Sequence, residues 1–325
     1  MQAYIVEEPN GNFRKADIPR PTLQANQVMV RVQASGVNPL DTKIRAGQAA
    51  HARQPLPAVL GLDMAGIVEE IGADITSYKP GDEVYGMVGG VGGIPGTLAE
   101  FVAADADLLA HKPKNLSMRQ AAALPLITIT AWEGLVDRAK VHASHSVLVH
   151  AGAGGVGHVA IQIAHAYGAE VFATISPEKK DIVTGFGAVP IDYRSSSVED
   201  YVSAHTDGNG FDIIYDTVGG ATLDASFAAA KHYTGHVVSS LGWGSHSLAP
   251  LSFRGASYSG VFTLIPLITG KSRAHHGQIL AKAAALAEAG KLRPLLSEQC
   301  FGREDISTAY ALVEAGALGK VVIEF

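Results

Sequence analysis

Residues 152–157 read GAGGVG, placing Gly152, Gly154 and Gly157 in G-x-G-x-x-G spacing between an apolar run, SVLVH, and a helix-length run, HVAIQIAHAYG. The spacing has a mechanical basis. A glycine at the first position permits a tight turn, the second lets backbone N–H groups approach a pyrophosphate, and the third lets helix and strand pack closely. Gly155 and Val156 complete the loop, and the strand EVFAT follows the helix. This strand-loop-helix-strand context predicts a dinucleotide site.

A site for NAD places Asp or Glu at the end of the second strand, about 20 residues on, to hydrogen-bond the ribose hydroxyls. That position holds Thr174. A small neutral residue removes the carboxylate that would repel a 2′-phosphate, and Ser176, Lys179 and Lys180 follow close enough to contact one. NADPH is therefore expected in preference to NADH.

The rest of the chain must position this loop. A length of 325 residues is long for one domain and points to two. Apolar residues at 47% and charged residues at 17% give a well-buried globular protein without disorder. The net charge of -6 comes without a basic block, which argues against nucleic acid or an anionic membrane as partner and leaves small molecules. Cys300 is the single cysteine, so no intrachain disulfide forms and a reducing, cytoplasmic setting is expected. MQAYIVEEPNGNF shows no targeting character, and AAALPLITITAW is too short and interrupted to span a bilayer.

Short β-rich runs punctuated by Gly and Pro fill the first 110 or so residues, among them QVMVRVQASGV, AGIVEEIG, GDEVYGMV and TLAEFVAA, and predict an irregular β unit. From Ser117, a helix cap, the texture changes, and Pro125 interrupts or restarts a helix. Residues 146–240 alternate apolar strands with helix-length segments. The expected fold class is α/β, with a doubly wound parallel sheet of Rossmann type. After YSGVFTLIPLITG come a long helical run and then ISTAYALVEAGALGKVVIEF, an amphipathic helix leading into a last strand.

The ordered motifs ASGVNPLDTKIRAG, PAVLGLDMAGIVEEIG, KPGDEVYG, AAALPLITITAWEGL, HAGAGGVGHVAIQIA, FDIIYDTVGG and GKVVIEF cover nearly the whole chain. With them the sequence resembles the medium-chain dehydrogenase/reductase superfamily, and within it the zinc-free, quinone oxidoreductase (zeta-crystallin-like) branch. The resemblance implies a GroES-like β-rich domain at 1–118, completed by 265–325, a Rossmann domain at 119–264, and an active site in the cleft. It also implies that Lys179 and Tyr193, with Ser176 beside them, meet the cofactor phosphate. Thr130 is implied to line the cofactor cleft, and Ser240, Leu241, Gly242, Phe262 and Thr263 to border the nicotinamide. The branch often pairs through the edge strand of its Rossmann sheet, so a homodimer is expected.

The zinc-dependent relatives bind a catalytic metal through a Cys and a G-H-E motif. Asn38 stands at the first position here and GLD, residues 61–63, at the second; residues 86–99 contain no thiol or imidazole for a structural zinc lobe. No metal is expected. Without a Lewis acid to stabilise an alkoxide, hydride delivery to an already electrophilic acceptor remains feasible. The expected activity is NADPH-dependent reduction of a quinone; the alternatives are reduction of an alkenal or enone, and a non-catalytic NADPH-binding role. Asn38 and Thr130 are candidate donors to a carbonyl oxygen or the cofactor ribose. Lys43, where family members often carry Tyr, is a candidate to stabilise an oxyanion or feed a proton. NPLD at 38–41 also has the form of a helix start, with Asn as N-cap, Pro at the first helical position and Asp as capping partner.

Overall fold

In the computed structural model, which describes residues 1–325, the β-rich start of the chain folds as eight strands. They are β1 (Gln2–Val6), β2 (Arg14–Asp17), β3 (Gln27–Val37), β4 (Ala58–Val59), β5 (Asp63–Ile71), β6 (Glu83–Met87), β7 (Phe101–Asp105) and β8 (Leu109–His111). Strand β1 lies between β2 and β4 in a small antiparallel sheet. The 11-residue β3 organises the larger sheet, pairing antiparallel with both β5 and β7. Its ladder to β5 slips in register at Met29/Val30 and Val32/Ala34, and such irregularities bend and twist a sheet toward a barrel-like form.

The alternating segments form six more strands: β9 (Ser146–Val149), β10 (Glu170–Ile175), β11 (Val189–Asp192), β12 (Ile213–Asp216), β13 (His236–Ser239) and β14 (Ser257–Gly260). All pair in parallel, in the order β11-β10-β9-β12-β13-β14. Parallel neighbours need crossover connections, supplied here by helices such as Gly155–Ala166, Val198–Thr206 and Ala221–Ala229. Coverage of both faces explains why every residue of β12 is buried. One side of this unit buries Leu148, Phe172, Ile214, Phe211, Leu223 and Phe227 in a continuous apolar cluster. The strand order runs outward in opposite directions from β9, so the topological switch point, where such sheets bind ligands, lies between β9 and β12.

Two last strands close the chain: β15 (Phe301–Gly302) and β16 (Val321–Glu324). Strand β16 pairs antiparallel with β3, Val321 opposite Val37, so the C-terminal segment completes the first sheet. The chain divides into one unit of Met1–Leu126 with Leu264–Phe325 and a second of Ile127–Thr263. The first crossing thus comes after Leu126, later than the expected residue 118. The reason is the helix Met118–Ala122, capped by Ser117, which packs against β3 and β5. The next helix starts at Pro125, where the missing N–H is no loss. The return crossing, after Thr263, precedes the expected 264 by one residue.

Candidate active site

The chain leaves β9 at Val149, crosses the glycine loop and enters the helix Gly155–Ala166 with Gly154 as N-cap. The sequence assigned the tight turn to Gly152, but the left-handed residue is Ala151, with φ 51°. Gly152 is needed for space instead: a Cβ there would lie 2.6 Å from Ala173 Cβ on β10. At Gly157 a Cβ would lie 2.2 Å from the Ala151 carbonyl oxygen, which is the close approach of helix to loop that the spacing predicted. Gly155 and Val156 form the first helical turn, whose N–H groups have no partner within the helix and suit an anion.

Beside the loop opens a cavity of about 630 Å³, with Gly154, Thr174, Ser176, Lys179 and Tyr193 on its wall. Thr174 lies near the end of β10 and turns its hydroxyl to the loop. Its Oγ1 accepts the Ala151 N–H at 3.2 Å and lies 3.0 Å from His150 Nδ1. Ser176 is buried, Lys179 half-buried, and Tyr193 exposed. Lys180 points outward and is absent from the wall.

Sequence reasoning missed several wall residues. His150 directly follows β9, and its Nε2 is a buried polar atom without a hydrogen-bond partner. Burial pushes its pKa down to about 4, so the ring is neutral at pH 7. Tyr201 and Thr222 also line the cavity. Just outside, the Arg194 guanidinium sits 5.8 Å from the centre of the Tyr193 ring and 3.6 Å from Glu178. A hydrogen bond from Ser176, with help from Arg194 and Lys179, holds the Glu178 carboxyl below its usual range. The signal for Arg194 was the basic residue next to Tyr193 in DYRSS; nothing in the sequence marked His150 as unpartnered. A glycine loop that a Cβ would fill, beside a cavity walled by Ser176, Lys179 and Tyr193, fits a bound dinucleotide.

The remaining cofactor candidates lie elsewhere in this unit and off that wall. Ser240, Leu241 and Gly242 follow β13, and Phe262 and Thr263 follow β14, so all five stand at the carboxyl edge of the parallel sheet. The Ser240 N–H donates to the Asp216 carbonyl at 3.2 Å, and the Leu241 N–H to Ser239 Oγ at 3.1 Å. Phe262 packs edge-on against Trp243. Thr130 is buried in the helix Pro125–Trp132, where its carbonyl accepts the Tyr215 hydroxyl at 2.6 Å.

In the first unit, Asn38 is the N-cap of the helix Pro39–Arg45, with Pro39 at its first position. Asp41 accepts the Asn38 backbone N–H at 2.8 Å, as a capping partner does. The Asn38 side chain is fully buried and engaged at both ends. Its Nδ2 donates to Asp63 at 3.0 Å, and its Oδ1 accepts from the Lys320 ammonium, which also donates to the Val37 carbonyl at 2.9 Å. The other Asp63 oxygen accepts the Leu126 N–H at 3.0 Å. Both polar atoms of the Asn38 side chain, a candidate donor to a carbonyl oxygen or the cofactor ribose in the sequence, thus have partners inside the chain. Lys43 lies in the last turn of the same helix, exposed. Burial pushes Asp41 up to about 7 and Asp63 up to about 6, and pushes Lys320 down.

This cluster stands where the zinc-dependent relatives carry their metal ligands, but it does not fit zinc. Its cation is Lys320, its amide is committed, and no three His, Cys, Asp or Glu side chains gather anywhere to hold a metal ion. No helix is long and apolar enough to cross a membrane.

Residues 24–114 match the alcohol dehydrogenase GroES-like domain family, and residues 185–323 match the family described as zinc-binding dehydrogenase. The chain is 36% identical to an NADPH-dependent alkenal/one oxidoreductase, chloroplastic, of Arabidopsis thaliana, over 99% of this chain and 79% of that protein. Among solved structures it resembles an alcohol dehydrogenase superfamily protein from Novosphingobium aromaticivorans (TM-score 0.98, 53% identity, 100% of this chain and 99% of that one). It also resembles the quinone oxidoreductase from Coxiella burnetii (TM-score 0.82, 28% identity, 100% and 99%). With a GroES-like domain, a parallel Rossmann-like sheet and these relatives, the chain belongs to the medium-chain dehydrogenase/reductase superfamily of oxidoreductases, in its quinone oxidoreductase branch.

Proposed function

We propose that this protein is an NADPH-dependent reductase of conjugated carbonyl compounds, α,β-unsaturated aldehydes and ketones first and quinones second. The observation that carries the cofactor assignment is the cavity wall, where Ser176, Lys179 and Tyr193 meet and the second strand ends without a carboxylate at Thr174. Lys179 supplies a positive charge to the 2′-phosphate, and Ser176 and Tyr193 supply hydroxyl donors. Glu178 yields the Ser176 hydroxyl to that phosphate, as its exposure permits. The loop Gly152–Gly157 and the first turn of its helix receive the pyrophosphate. Thr130, the backbone at Ser240–Gly242, and Phe262–Thr263 border the nicotinamide.

When bound, the cofactor supplies a hydride, which adds at the β-carbon of an enone or to a quinone. The chain's own groups then handle one proton. Exposed Lys43 delivers it to the resulting oxyanion or enolate, so that hydride and proton together add two electrons and two protons to the acceptor, whether an enone becomes a saturated carbonyl or a quinone a hydroquinone. Asn38, clamped by Lys320 and Asp63, keeps the start of Lys43's helix in place. The likeness to an alkenal/one oxidoreductase at 36% identity supports the enone reading, and the likeness to a quinone oxidoreductase structure at 28% identity supports the quinone one.

Cys300, free and exposed, suits a reducing compartment such as the cytosol. Strand β14, paired on one side only at the end of the parallel sheet, suits pairing of two copies in a homodimer. The test of function is a substrate panel read by NADPH consumption. Turnover is expected with 2-alkenals at higher kcat/KM than with quinones; the reverse order promotes the quinone reading. No consumption with either class overturns the enzyme assignment in favour of a cofactor-binding protein.

A further inference from the structure

His246 lies in the segment that follows β13, and both of its ring nitrogens face oxygen. Nδ1 is 2.8 Å from Asp224 Oδ1, on the helix Ala221–Ala229, and Nε2 is 3.1 Å from the Trp243 carbonyl oxygen. A carboxylate and a carbonyl can only accept. Each nitrogen must therefore carry a proton, which makes the ring an imidazolium; a neutral ring has one proton and loses one of the two bonds. The hydrogen bond to Asp224 first, and that to the Trp243 carbonyl second, hold the pKa above the usual 6.5. The charged groups that act on the ring are Asp224 and Asp216, both anionic. Asp216, at the end of β12, is engaged by the Val218 and Gly219 N–H groups and the Ser239 hydroxyl, and the Phe227 ring, edge-on at 6.4 Å, carries no charge.

What the ring ties down is a turn. The Trp243 N–H donates to the Leu241 carbonyl at 2.8 Å, and the Leu241 N–H is held by Ser239 Oγ. Between them Gly242 packs so closely that a Cβ there would lie 2.2 Å from the Tyr258 hydroxyl oxygen on β14. The bond from His246 fastens the far end of this turn, at the carboxyl edge of the parallel sheet, where such sheets bind ligands.

We propose that His246 is a positioning residue for the cofactor: as a cation it ties Trp243 to Asp224 and fixes the Ser240–Trp243 turn for the nicotinamide end. The inference rests on the reading that Ser240–Gly242 border the nicotinamide. A histidine whose pKa is raised makes its full contribution below the ordinary 6.5 and loses it as pH rises through the raised value. The nicotinamide end therefore binds less well in alkaline solution, while the adenine end, met by Lys179 and Tyr193, is unaffected by this residue.

Two measurements test this. In wild-type protein labelled at histidine nitrogens, with His246→Gln used to assign the signal, NMR should find the His246 ring titrating above 6.5 and both nitrogens protonated below that midpoint. A midpoint at or below 6.5 overturns the proposal. Calorimetric titrations with NADPH and with adenosine 2′,5′-bisphosphate, which lacks the nicotinamide, give a ratio of dissociation constants from which ionisation of the shared 2′-phosphate cancels. That ratio, NADPH over bisphosphate, should rise about fivefold in wild type across the His246 midpoint and stay level in His246→Gln. A level ratio in wild type, or an equal rise in the variant, overturns the role of His246 alone. If wild type binds neither compound, the cofactor reading falls and this inference with it.

Discussion

The two units hold their buried polar groups in opposite ways. In the first, Lys320, Asn38 and Asp63 are joined to one another and to the Val37 and Leu126 backbone, so the cluster is largely satisfied from within. In the second, Ser176, Lys179 and Tyr193 line a cavity toward which their polar groups remain open, and His150 Nε2 is buried without a partner. Burial is common to both regions, and what differs is where the hydrogen-bonding capacity is directed. A buried cation that meets an amide oxygen and a backbone carbonyl inside the chain, with a carboxylate on the far side of that amide, is a structural clamp. A cavity beside a glycine loop, walled by a cation and hydroxyls, leaves its hydrogen-bonding capacity open to a ligand.

The largest predicted effect comes from opening the closed region. Lys320→Met leaves Asp41 and Asp63 without their cation and Asn38 without its donor, so chemical unfolding should show a loss of about 3–5 kcal/mol. A loss below about 1 kcal/mol would place Lys320 among exposed ion pairs and break the comparison.

A smaller effect sharpens it. Asp41 keeps one oxygen without a partner, and Tyr310, buried nearby with its pKa raised by burial and by Asp41, has an unpartnered hydroxyl. Burial raises the Asp41 pKa from the unfolded 3.8 to about 7, so folding takes up a proton in that interval. The contribution is fully present below pH 3.8 and is lost as pH rises through about 7. Asp41→Asn, which keeps an acceptor for the Asn38 N–H, should therefore lose less stability than wild type between mildly acidic and mildly alkaline pH. Parallel stability curves for the two proteins would show that Asp41 does not titrate in that window.

The parallel sheet and the loop were legible because glycine spacing and the alternation of apolar runs with helix-length runs are local features. Ser117 and Pro125 announced their helix starts for the same reason. What stayed hidden depends on neighbours distant in sequence. Gly152 met its spacing rule for a reason other than the turn, since its lack of a side chain is required by Ala173 on the next strand while Ala151 takes the left-handed conformation. Asn38 was marked as a helix cap and a possible catalytic group, yet its side-chain partner Lys320 lies 282 residues away. His150 looked like the end of a strand, and only the folded surroundings of its ring show that Nε2 lacks a partner.

The central claim is that the cavity beside the glycine loop is built for NADPH, with Lys179 as its charge-reading group. Dissociation constants for NADPH and NADH, measured by fluorescence titration on wild type and Lys179→Ala, test it most directly. Wild type should bind NADPH about tenfold or more tighter than NADH, equivalent to about 1.4 kcal/mol, and Lys179→Ala should close most of that gap by weakening NADPH alone. Equal affinities for the two cofactors in wild type would contradict the account.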